Sequence, residues 1–110
     1  MLSKTQLVTL ITRNDQVAVH AIGRALVHLF NRQTRDEQAA NQTRDHNCRG
    51  FTSADARQGC IHAKYYIKHG TLLPWQVRYW LKADRKGNLR LGKYWRQLAE
   101  EASRKAALKG

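Results

Sequence analysis

The sequence predicts an all-α protein, a single compact domain of about five helices. Three observations carry this. Apolar side chains recur at spacings of three and four, capping side chains precede those runs, and the one proline stands where it can open a helix. A length of 110 residues suits one modest core and not two.

Ser3 caps a first short helix in which Leu7, Leu10 and Ile11 share a side. Asn14 or Asp15 caps a stronger helix over 15–33, "DQVAVHAIGRALVHLFNRQ". There Val17, Ile22, Leu26, Leu29 and Phe30, with Val19 and Val27 beside them, form a wide apolar stripe. A stripe of that width is either buried or a dimer seam, so a homodimer through this helix is one expectation. Gly23 inside it costs roughly 1 kcal/mol against alanine, and marks the close approach of another helix. Residues 34–50 hold almost no large apolar side chain and read as a polar connector. It joins a near-neutral helical hairpin at 1–33 to a basic, aromatic module at 51–110.

In that module Thr52 or Ser53 caps a helix that reaches His69 and stops at Gly70. Asp55, three residues after Thr52, stands in a capping-box position and reads as a helix N-terminal acid. Pro74 opens a fourth helix, "PWQVRYWLKAD". "DRKGN" turns around Gly87, "LRL" is extended, and Gly92 starts the last helix. The pair across 53–83 has a helix-turn-helix outline.

Charge is distributed as unevenly as the aromatics. The chain holds 20 Lys and Arg against 8 Asp and Glu, a formal +12. Ten of those cations fall between Arg57 and Arg96, where Asp84 alone opposes them. Residues 62–97 also contain all three tryptophans and all four tyrosines. Positive charge at this density points to a polyanionic partner. Nucleic acid is the expected one, DNA ahead of RNA, contacted through Arg57, Lys64, Lys68, Gln76, Arg78, Tyr79, Lys82, Arg85, Lys86, Arg90, Lys93 and Arg96. Lys suits phosphates, while Gln and Arg are the types that read adenine and guanine edges. Most of the aromatics are expected in the core, with cationic stems lying over their rings.

Other chemistries find less support. His46, Cys48, Cys60 and His62 are a zinc-like ligand set, but each pair is separated by one residue only. On a helix, positions i and i+2 point about 200° apart. No metal or cofactor is therefore expected, and the cysteines read as reduced thiols of a cytoplasmic protein. No phosphate-binding glycine loop, paired carboxylates or nucleophile elbow is present, so no enzymatic activity is expected. No apolar run approaches the ~18 residues that would span a membrane.

Gly50-Phe51, Asp55, Gly59 and Ala63, then Gly70, Leu72 and Gln76, then Lys93-Tyr94 with Gln97-Leu98, form a pattern over residues 50–98. It resembles a small helical module of phage- and plasmid-encoded proteins. The resemblance implies a mobile-element origin and a nucleic-acid setting, and supplies no catalytic residues. Two competing functions follow. One is inhibition of a host defence complex, of anti-CRISPR or anti-restriction type, by binding a host protein or nucleoprotein. The other is a helical adaptor or dimerisation module. Phosphate binding weakens steeply with salt and an apolar interface does not.

Overall fold

Side chains at the start of the chain do the capping that the sequence requires of them. In the computed structural model, which describes residues 3–32, 51–52 and 54–109, Ser3 and Gln6 form a reciprocal capping box. The Ser3 hydroxyl accepts from the Gln6 amide at 3.1 Å and Gln6 Oε1 from the Ser3 amide at 2.9 Å. The helix they start is α1, Lys4–Ile11. Asp15 accepts from the Ala18 amide at 3.0 Å and begins α2, Gln16–Asn31. The polar connector at 34–50 lies outside the described residues.

The third helix, α3, spans Ala56–His69 and ends at Gly70, whose φ of 71° is the left-handed conformation that glycine adopts without strain. It starts later than Thr52 or Ser53 would place it. The Thr52 hydroxyl is turned to Tyr94 instead, and Asp55 occupies the N-cap position without accepting from the helix backbone. After the turn, Pro74 opens α4, Pro74–Leu81. That helix stops short of residue 84 because Lys82 turns extended and its carbonyl accepts from the Arg90 amide at 3.0 Å. Ala83 and Leu89 pair across the intervening turn as an isolated antiparallel bridge. Leu91–Tyr94 then coil as one 3-10 turn into α5, Trp95–Lys109.

The described residues form an all-α globule of five helices, with a Cα radius of gyration of 13.3 Å. A single packed domain of this length is expected near 13 Å. Helix α2 is its axis, lying against α1, α3 and α5. Its stripe faces inward: Ile22, Leu26 and Leu29 are fully buried, and Val17 is the large α2 side chain left open. The apolar width noted in the sequence is thus used inside the chain.

Two glycines permit the tight contacts. A Cβ on Gly23 would collide with the Tyr66 ring of α3, and one on Gly59 would lie 2.6 Å from the Phe51 ring. Helix α5 returns to the N-terminal hairpin, so Leu91, Tyr94 and Leu98 share one core with Leu7 and Ile11. Arg32 fastens the same seam, donating to the Gln97 carbonyl at 3.1 Å and to Glu100 at 2.9 Å. Among the described residues no helix is long and apolar enough to cross a membrane.

Candidate nucleic-acid interface

The basic stretch is organised by one acid. Asp55 is fully buried at the head of α3 and accepts three charged or polar donors. Arg90 Nη1 reaches its Oδ1 at 2.8 Å, while Lys93 Nζ and the Tyr94 hydroxyl reach Oδ2 at 2.7 and 2.6 Å. Burial alone would raise the carboxyl's pKa, but the hydrogen bonds from Lys93, Tyr94 and Arg90 together outweigh it and hold the group ionised below its ordinary range. The Tyr94 hydroxyl, giving its proton to Asp55, accepts from the Thr52 amide at 3.1 Å. Burial and the carboxylate both push its pKa upward, so it stays protonated. Arg90 also lies over the Tyr79 ring at 4.3 Å and donates to its hydroxyl at 3.2 Å.

Two cations of the expected phosphate track, Arg90 and Lys93, are therefore fixed from behind. They are not lost to it, since their side chains keep 29% and 43% exposure. Together with Lys82 and Arg85 they line an open pocket of about 440 Å³ against the turn at 84–88. The turn is rigid for clear reasons. Asp84 accepts from the Lys86 and Asn88 amides at 2.8 and 2.9 Å, and Gly87 takes a φ of 81°. Those amides hold the Asp84 carboxyl below its usual pKa. From α1, Lys4 donates to Asn88 at 2.8 Å and adds a cation that the sequence reading did not place here.

The remaining expected contacts separate into groups. Arg57, Lys64 and Lys68 are exposed at spacings of seven and four on α3, and none of them lines the pocket. Arg78 is exposed on α4, Lys82 just past its end, Lys86 on the turn, and Arg96 on α5 with its guanidinium 5.5 Å from the Trp95 ring. Tyr79 is half-buried under Arg90. Gln76 is placed where it cannot read a base. It is 2% exposed, and its Oε1 accepts from the Leu73 amide at 2.9 Å, capping α4.

His62 is central to how α3 meets α4. It is fully buried, and its Nδ1 accepts from Trp80 Nε1 at 2.9 Å, which places the proton of the neutral ring on Nε2. That Nε2 has no hydrogen-bond partner. Trp75, Tyr79 and Trp80 surround the ring edge-on at 5.2, 5.5 and 6.1 Å. Desolvation lowers the imidazole's pKa to about 4. Cys60 is buried on the same helix, so both members of the "CIH" pair point inward because α3 is covered on two sides. His46 and Cys48 lie outside the described residues, and among those described no three metal-ligating side chains come together.

Asp55 as a hub was invisible in a reading that made it a helix-terminal acid. The available signal was its isolation: one acid standing immediately before ten cations. The exposure of Trp75, at 50%, was likewise missed. No family model, no curated protein and no solved structure matches the chain.

Proposed function

We propose that this protein binds nucleic acid through its phosphates, DNA ahead of RNA, in the mobile-element setting that its sequence resemblance implies. The observation that carries the reading is the pocket at 82–93. Four cations, Lys82, Arg85, Arg90 and Lys93, meet there on a turn held rigid by its own hydrogen bonds. Of the two carboxylates within reach, Asp84 accepts from backbone amides, while Asp55 pairs with Arg90 and Lys93 from behind, offsetting part of their charge and fixing their position. Prepositioned cations lose little side-chain freedom on meeting an anion, and the surrounding Lys86 and Arg78 extend the field.

Inhibition of a host defence complex remains the second reading, through an acidic protein face or a bound strand. The adaptor reading is weaker, because the α2 stripe that would pair with another chain is already covered by α1, α3 and α5. Titration of the purified protein against single-stranded DNA, double-stranded DNA and RNA at two salt concentrations tests the proposal. Four to five phosphate contacts give a slope of log K on log salt of about −3 to −5. Absence of binding to all three, or an affinity indifferent to salt, would overturn it.

A further inference from the structure

We infer that Trp75 is a stacking platform for an unpaired base, making single-stranded nucleic acid the preferred ligand; this rests on the nucleic-acid reading above. The three tryptophans are used differently. Trp80 is fully buried and Trp95 is half-covered, but Trp75 is 50% exposed in the first turn of α4. It does not stand alone. Arg78 follows three residues on and Lys82, the residue that caps the helix, seven on, so an aromatic face and two exposed cations share one side of α4 and its C-terminal end. Trp75 and Lys82 are separated by about 10 Å along the axis. Lys82 also forms one edge of the basic pocket, so the row leads from the ring into the phosphate-binding cluster.

The ring is braced by a buried neighbour. Its neighbour is the buried His62, edge-on at 5.2 Å and 84°, and His62 is itself held by Trp80. A platform braced in this way loses little freedom when a base lands on it. Charge complementarity identifies the occupant. A flat apolar group must arrive with negative charge beside it to satisfy Arg78 and Lys82, and a nucleotide carries both. A duplex hides the faces of its bases within the stack and offers only its phosphates, so it gains nothing from Trp75.

The test compares a single-stranded oligonucleotide, its duplex, and an abasic oligomer of equal phosphate count. Wild-type protein should bind the single strand most tightly and the abasic oligomer more weakly. Trp75→Ala should weaken single-strand binding roughly five- to a hundredfold and leave duplex binding unchanged, whereas Trp75→Phe should retain most of the affinity. Equal loss on single strand and duplex, or no loss on either, would overturn the inference. If Trp75→Ala does not fold, the abasic comparison on wild-type protein decides alone: equal affinity for abasic and intact strands refutes stacking. Failure of wild-type protein to bind any of the three sinks the nucleic-acid reading itself. Salt-dependent binding that ignores Trp75 sinks only this inference.

Discussion

Replacing Asp55 by asparagine is the sharpest perturbation that the structure offers. The side chain keeps its size and one oxygen, but loses its charge and turns an NH2 towards groups that are themselves donors. Removing one member of a buried ionic cluster costs about 3–5 kcal/mol when the rest remains buried. Here the release is partial. Arg90 and Lys93 are 29% and 43% exposed and can turn towards water, whereas Tyr94, at 2%, cannot. The lower end applies, about 3 kcal/mol. For a domain of this size that corresponds to a fall in Tm of about 12 °C or more. Thermal melts followed by far-UV circular dichroism would read it, with urea titrations showing a lower midpoint at unchanged slope. Asp84→Asn is the control: an exposed acid in the same basic stretch, expected to shift stability by no more than about 0.5 kcal/mol. If Asp55→Asn melts within 2 °C of the wild type, the cluster does not hold α3 to residues 90–94.

Acid should weaken the fold through His62. Its folded pKa of about 4 lies below the ordinary 6.5, so its stabilisation is complete above pH 6.5 and drains away as pH falls towards 4. The loss reaches about 3 kcal/mol at the acid end; urea midpoints between pH 7 and 4 should show that slope, and His62→Gln should flatten it. Reversing Arg85 and Lys86 to glutamate should weaken every nucleic acid by a similar factor and flatten the salt slope by about one to two units. Melting should barely move, and undiminished binding at physiological salt would mean that this turn is not where phosphates are held. Gly23→Ala gains helix propensity but drives a methyl group into the Tyr66 ring, so it should destabilise by about 1–3 kcal/mol; a stabilised variant would mean that α2 and α3 can separate without cost.

The helices were legible because their starts and stops are local chemistry. Ser3, Asp15, Pro74 and Gly70 each perform the backbone task that their residue type suits. Gly23 also announced a close contact, though not with which ring. What the sequence could not convey was direction. Gln76 and Arg78 differ by two positions, yet one is spent capping α4 inside the core and the other is exposed. Helical spacing fixes relative faces, but which face meets the core depends on neighbours far along the chain. Asp55 shows the same limit. Its partners lie 35 to 39 residues away, and only the return of the chain after Gly87 brings them to it.

The return of α5 to the N-terminal hairpin has a consequence for how the chain is made. Leu7 and Ile11 share their core with Leu91, Tyr94 and Leu98, so α1 cannot complete its packing until α5 has been made. At about 5–20 residues per second, the synthesis of the intervening stretch leaves the apolar side of α2 without its cover for several seconds. Neither half can be finished early, and a chain halted before Leu98 presents Ile22, Leu26 and Leu29 behind an incomplete wall. The gain of protease resistance during translation should therefore come as one late step rather than two.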